Sequence, residues 1–430
     1  MVVAPAAPKL SLQCEAIAAD TTTIRSLDWD RSRFDIEFGL RNGTTYNAFL
    51  VRGERTALID TSHAKFRDTW IPLLKQQIDP TAIDVLIVSH TEPDHSGLIG
   101  DLIDLNPEIE IVGSKVALQF LKDQVHRPFK SRAVKSGEEL DLGTNPDSGI
   151  QHRFEFLSAP NLHWPDTIFS FDHGTGILYT CDAFGLHYCS DDVFDSDPGA
   201  IAPDFRFYYD CLMGPNARSV LQALKRMDGL PEITTIAVGH GPLLRHHLSH
   251  WVSDYREWSG QRSKGESYAA VCYLSQYGFS DRISQAIAHG IGKAEAQVQL
   301  VDLRATDAQE LTALIGEAKA VVVPTWPEQP DSELQTSIGT LLAAFSPYLL
   351  PHQTFARAAW CWNSHPPVCD APVVIDGSCE EGAKLAAGTT CTPKCANGKV
   401  PSGSCTVNCP ESGGQGCVDD LNAQTWWVPC

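Results

Sequence analysis

The chain has 430 residues, 33 basic and 53 acidic, for a formal net charge of −20. Such an acidic polypeptide repels nucleic-acid phosphates, which excludes a nucleic-acid-binding role. The length suits two or three domains, and no apolar run reaches the ~20 residues that span a bilayer.

The N-terminus "MVVAPAAPKLSLQCEA" lacks the apolar core of a secretory signal. Residues 1–262 read as one domain of alternating strands and helices. "TYNAFLVRGERTALIDT" (45–61) reads as two apolar strands around a charged turn. "AIDVLIVSH" (82–90), "GILYTCD" (176–182) and "TTIAVGH" (234–240) read as further buried strands, each ending on a histidine or aspartate. Functional groups at strand ends are common in layered α/β proteins, because the loops there converge. The charged stretch "YREWSGQRSKGES" (255–267) reads as a linker.

From residue 268 the pattern changes to a βαβ repeat. "YAAVCYL" (268–274), "QVQLVDL" (297–303) and "AVVV" (320–323) are its strands. "RISQAIAHGIG" is a helix, with Ile283, Ala286, Ile287 and Ile291 expected on its buried face. Asp307 and Glu310 have capping-box spacing ahead of a second helix, and "SELQTSIGTLLAAF" (332–345) reads as a third. This is half of a doubly wound parallel sheet. From about residue 352 the chain is rich in Cys, Gly, Ser, Thr and Pro, without a periodic apolar face. Nine of the fourteen cysteines lie there.

The most informative stretch is "SHTEPDHSG" (89–97), which concentrates His90, Glu92, Asp94 and His95 behind an apolar strand. Carboxylates and imidazoles this close suit a metal. In an extended loop alternate residues point the same way, so His90, Glu92 and Asp94 can face one site. They over-supply one tetrahedral zinc and suit two metals. The competing reading is a solvated loop or a helix cap. "NLHWPDT" offers His163, "TCDAFG" offers Asp182 and "VGHGP" offers His240; each is weak alone, but all follow apolar strands.

"HTEPDH", "HWPD", "CDAFG" and "GHGP", in this order, resemble the metallo-β-lactamase-like domain of flavodiiron proteins, as does "YYDCLMGP" (208–215). The following βαβ half resembles the flavodoxin-like domain of that family, and "LSQYGFSDRISQAIAHGI" its photosynthetic branch in cyanobacteria and algae. The resemblance covers residues 20–345 or so. It implies an α/β protein: a metallo-β-lactamase-like αββα sandwich (1–262), a partial flavodoxin-like doubly wound domain (263–351) and a Cys-rich irregular tail (352–430). It also implies one iron on His90, Glu92 and His163, another on Asp94 and His240, and Asp182 bridging both. His95 matches a position usually behind the ligands. Where Glu92 stands, hydrolytic relatives resemble "HxHxDH"; a carboxylate there is harder and suits iron better than hydrolytic zinc.

The implied second cofactor is FMN. Ser275, Gly278 and Ser280 occupy the phosphate-side loop, which reads equally as a plain strand-to-helix turn. Thr325 and Trp326 occupy the next loop, within reach of the expected isoalloxazine, and Trp326 reads equally as a loop anchor. Strands four and five have no convincing match, with "HQTFARAAWCW" (352–362) the sole candidate for a fourth. The chain therefore reads as a truncated member with an unpaired "AVVV" edge and weak flavin binding. The tail's cysteines suit either disulfides or zinc held by its two C-x3-C pairs.

The resemblance implies an oxidoreductase that reduces dioxygen to water, or nitric oxide. Its electrons would come from NAD(P)H or ferredoxin through a reductase, in a head-to-tail homo- or heterodimer. Cytoplasm, or plastid stroma in an alga, is the implied location, with no membrane partner. The rivals are a dinuclear zinc hydrolase of the same fold and a catalytically impaired dimerisation partner.

Overall fold

The computed structural model describes residues 9–34, 38–263, 268–273, 279–293, 297–303, 311, 314, 318–323 and 354–357, and short pieces between 368 and 408. The chain divides into two compact units, Met1–Gly265 and Glu266–Cys430.

The first unit is built on two sheets. Sheet one contains β1 (Leu10–Ala18), β2 (Thr21–Asp28), β3 (Thr44–Arg52), β4 (Thr56–Ile59), β5 (Val85–Val88), β6 (Glu110–Gly113) and β7 (Lys130–Ala133), in that spatial order. Its first four strands are antiparallel neighbours, and β4 to β7 run parallel. Sheet two contains β8 (Glu139–Thr144), β9 (Gln151–Ser158), β10 (Ile168–Asp172), β11 (Ile177–Cys181) and β12 (Thr235–Val238), with only the β11–β12 pair parallel.

Period-two alternation explains how sheet one is covered on both faces. Tyr46, Ala48, Leu50, Leu58, Leu86 and Val88 face one core. There they meet α1 (Arg67–Gln77), α3 (Ile99–Leu105) and α4 (Lys115–Val125) through Trp70, Leu74, Leu102, Leu118 and Leu121. Phe49, Val51, Ala57, Ile59, Val85 and Ile87 face the other core, with Phe154, Phe156, Ile168 and Ile177 of sheet two. That core also holds Phe205 of α5 (Pro198–Tyr208), Val220 and Leu224 of α6 (Ala217–Met227) and Trp251 of α7 (Leu248–Ser263). The layers are helix, sheet, sheet, helix. Each fully buried aliphatic or aromatic side chain contributes about 1.5–3 kcal/mol, so the frame around the strand ends is stiff.

Between β5 and α3 lies a single helical turn, α2 (Pro93–Ser96). The extended loop expected at 89–97 therefore stops at Glu92, because Pro93 supplies the preset φ of a first helical residue. The expected linker at 255–267 also differs. α7 runs through Ser263 with Trp251, Tyr255 and Ser259 buried, and their four-residue spacing is a helical face.

In the second unit a parallel sheet runs Gln297–Asp302, Tyr268–Tyr273, Ala320–Val323, Thr354–Arg357. Ala270 and Cys272 face one apolar cluster and Val271 and Tyr273 another, so the sheet is covered on both sides. Two expectations change. The edge of "AVVV" is paired, since Ala320 to Val323 align with Thr354 to Arg357 and backbone pairing continues past residue 351. On the helix Phe279–Lys293, Ile287 and Ile291 pack against the sheet as expected, but Ile283 is 56% exposed and Ala288 is the buried residue between them. The expected elements at 304–310 and 332–345 lie outside the described residues. The tail is not wholly irregular: it carries three short antiparallel pairs, including Gly377–Cys379 with Pro393–Cys395.

Candidate metal centre

Four strand ends of the first unit converge. His90 follows β5, His163 follows β9, Asp182 follows β11 and His240 follows β12. Glu92 caps α2, and Asp94 and His95 lie in its only turn. All seven residues are at most 4% exposed. Non-glycine residues with left-handed backbone gather here, at Asp60, Asn161, Cys181 and Phe184. Such strain is held where surrounding packing over-determines it.

The turn at Pro93 splits the motif into two pockets. In the first, Glu92 Oε2 stands 3.0 Å from His163 Nε2 and 3.5 Å from His90 Nε2. In the second, Asp94 stands 3.3 Å from His240 Nε2 and 3.6 Å from His95 Nε2. Asp182 faces both. Its Oδ2 lies 3.5 Å from His90 and 3.3 Å from His163, while Oδ1 lies 3.0 Å from His95 and 3.3 Å from His240. His95, expected behind the ligands, thus turns Nε2 into the same space as His240.

Several orienting groups escape a reading of the sequence. Asp166 takes His90 Nδ1 at 2.9 Å and Thr91 N and Oγ1 at 2.8 and 2.6 Å. Tyr208 donates its hydroxyl to Asp182 Oδ1 at 3.0 Å. Thr45 and Asn47 of β3 pin the loop of His240: Asn47 Nδ2 donates to the carbonyls of Val238 and Gly241, and His240 Nδ1 meets Thr45 O at 2.6 Å. The aspartate of "HWPD" was a visible signal for Asp166. Nothing local marks Thr45 or Asn47; Tyr208 opens "YYDCLMGP", a visible segment whose role at the site was not.

The electrostatics describe a site that calls for cations. Burial lowers the pKa of His163, but Asp182 and Glu92 raise it to about 10. Burial likewise lowers His240, and Asp182 and Asp94 raise it to about 10. Burial pushes Glu92 up, yet His163 and His90 hold it below the usual carboxylate range. Without metal, protons take up the charge of three buried carboxylates. His90 Nε2, both oxygens of Asp94, Asp182 Oδ2 and His240 Nε2 are buried without hydrogen-bond partners. Buried polar atoms left unpaired are costly, and these are nitrogen and oxygen donors aimed at two adjacent spaces. The residues fit a dinuclear metal centre. Cys181 lies beside it, where burial and then Asp60 push its thiol well up in the metal-free site.

Of the expected flavin contacts only Ser280 is described. It is buried in the first turn of its helix. Ser275, Gly278, Thr325 and Trp326 lie outside the described residues.

Residues 44–241, which span all seven side chains, match the family described as "ODP family beta lactamase". The "flavodiiron core" of a Flv1 protein from Synechocystis sp., solved after metal soaking, superimposes with a TM-score of 0.71 at 32% identity, over 78% of this chain and 83% of that one. The chain belongs to the flavodiiron family. Its first unit has the metallo-β-lactamase-like fold of that family. Diflavin flavoprotein A 1 of Synechocystis sp. is 57% identical over 343 residues, 80% of this chain and 59% of that protein. The chain thus spans little more than half the length of this flavodiiron relative. A solved fragment, residues 1–254, of diflavin flavoprotein A 5 from Nostoc sp. is 34% identical, with a TM-score of 0.55, over 60% of this chain and 99% of the fragment. Among the described residues, no helix is long and apolar enough to cross a membrane.

Proposed function

We propose that the first unit holds two irons and that the chain is an oxidoreductase reducing dioxygen to water, with electrons relayed through FMN. The observation that carries this reading is Asp182, which turns one carboxylate oxygen to each pocket. His90, Glu92 and His163 would hold one iron, Asp94, His95 and His240 the other, and Asp182 would serve both. This adds His95 to the ligands that the sequence implies. Three carboxylates favour iron over the zinc of a hydrolase, because hard anionic donors suit a metal that cycles between ferrous and ferric states.

A reduced iron pair supplies electrons and open coordination positions to a diatomic molecule. The chain's own residues do the rest. Asp166 fixes the His90 ring through Nδ1, leaving Nε2 for metal. Thr45 O does the same for His240. Tyr208 holds Asp182 Oδ1 and brings a hydroxyl proton to the edge of the second pocket. Burial of the whole set keeps bulk water away from the reacting space.

FMN is assigned to the flavodoxin-like unit, by the relatives' naming as diflavin flavoproteins and by the parallel order of its sheet. The boundary near 262 is kept, and the one near 351 moves beyond Arg357, because Thr354–Arg357 pairs into the sheet of the flavin unit. The donor would be NAD(P)H or ferredoxin through a reductase, and the assembly a head-to-tail dimer. The five free cysteines recorded among the described residues suit a reducing cytoplasm or stroma.

Metal and flavin stoichiometry after anaerobic iron loading tests the whole. Close to two irons per chain are expected. Tight zinc without iron uptake would replace this reading with a dinuclear hydrolase. Iron without flavin would point to an impaired dimerisation partner. Nitric oxide consumption exceeding that of dioxygen would reassign the substrate.

A further inference from the structure

His187 is buried, 6% exposed, and its Nε2 has no hydrogen-bond partner. It lies outside both pockets, yet its ring centroid is 4.8 Å from that of His240 and 4.9 Å from that of Tyr208. Phe34 closes the opposite side at 4.1 Å. The other ring nitrogen is fixed: Nδ1 stands 2.9 Å from Thr44 Oγ1. Thr44 Oγ1 also lies 3.4 Å from His240 Nδ1. Both imidazoles therefore turn Nδ1 toward Thr44 and Nε2 away from it. On that far side, His240 Nε2 meets Asp94 and Asp182.

The proton on the ring can be placed. Thr44 Oγ1 has two acceptors, Thr45 O at 3.3 Å and His187 Nδ1 at 2.9 Å. Thr45 O already receives His240 Nδ1 at 2.6 Å. The Thr44 hydroxyl has a single proton and His187 Nδ1 is the nearer acceptor; in that arrangement the neutral ring carries its own proton on Nε2. A buried N–H left unpaired is destabilising unless an acceptor arrives.

We propose that His187 Nε2–H is a hydrogen-bond donor to the small anionic or diatomic ligand that occupies the space beside the second pocket, orienting it against the metals. The proposal rests on the dinuclear reading above. His187 supplies no electron and no metal ligand; it supplies direction and a neutral donor, as preorganised donors do at other buried sites.

Azide is the probe, added to the full-length chain after iron loading and oxidation. His187→Leu should retain close to two irons but bind azide about tenfold more weakly, the effect of one lost hydrogen bond. His187→Gln, which restores an N–H donor, should recover most of that affinity. Native azide affinity in His187→Leu would overturn the proposal. So would an equal loss in both variants, or loss of iron from either, since each would make the ring a packing element. If the native chain takes up no iron at all, the dinuclear reading fails instead, and the two failures are told apart.

Discussion

Asp166 Oδ1 lies 2.9 Å from His90 Nδ1, with both side chains fully buried. Its other oxygen holds the backbone and hydroxyl of Thr91. One carboxylate thus sets the direction of the first metal-facing imidazole and the path of the loop carrying Glu92. Asp166→Asn keeps an acceptor for one of these groups but turns an amide N–H against the other. Orienting partners of this kind are worth about 10–100-fold in metal affinity. The first pocket should weaken by that amount while the second changes little. Competition with a chromophoric chelator, resolved into two sites, measures it; unchanged affinity at both would remove Asp166 from the centre.

Asp182 turns one oxygen to each pocket, and a shared ligand has a distinct signature. Asp182→Ala removes an oxygen from each pocket and should lose both metals. Glu92→Ala touches only the first pocket and should lose one. Elemental analysis of the two variants side by side decides the matter. Two metals retained by Asp182→Ala would show that each pocket closes without it.

The sequence made much of this legible, and its failures have physical causes. All seven converging side chains could be named because they follow apolar runs, and burial of a strand fixes where its end must emerge. For His95, expected behind the ligands, position in a motif does not reveal where the imidazole points, and the structure turns its Nε2 toward Asp182. That direction is set by the helical turn at Pro93 and by Thr61, whose N–H and hydroxyl both reach His95 O. Thr45 and Asn47 were invisible, and so was the contact of Tyr208 with Asp182, because tertiary packing alone brings α5 and β3 to the site. In the second unit the strands were plain, but Ile283 was assigned to the buried face from periodicity, when the helix is rotated so that Ala288 meets the sheet.

His152 gives a pH dependence away from the metal site. Its Nδ1 lies 2.8 Å from Asp172 and its Nε2 3.4 Å from Asp20. Burial lowers its pKa, but the hydrogen bond and charge of Asp172, then Asp20, outweigh burial and raise it. Folding therefore favours the imidazolium. That contribution is complete below the unfolded value of about 6.5 and is lost as pH rises through the elevated folded value. His152→Gln keeps a donor for Asp172 and cannot titrate. The stability gap between native chain and variant should be widest near about pH 6 and shrink toward about pH 9. Denaturant midpoints across that range measure it, and a gap that does not move would show a ring that stays neutral.

Gly239 tests whether His95 is a ligand without touching His95 itself. A Cβ at position 239 would lie 2.7 Å from His95 Cε1, 3.2 Å from its Nδ1 and 3.2 Å from the carbonyl carbon of Cys181. The backbone cannot retreat, because Gly239 N donates to Cys181 O at 2.7 Å and Gly239 O accepts from Asn47 N at 2.9 Å. The imidazole must give way, which carries Nε2 off Asp182 Oδ1. Overpacking of this kind costs about 1–3 kcal/mol, so the chain should still fold. Gly239→Ala should weaken the second metal about 10–100-fold and leave the first at native affinity, and His95→Asn should do the same. If both metals remain at native affinity in the two variants, His95 stands behind the ligands after all, and Asp94, Asp182 and His240 hold the second metal without it.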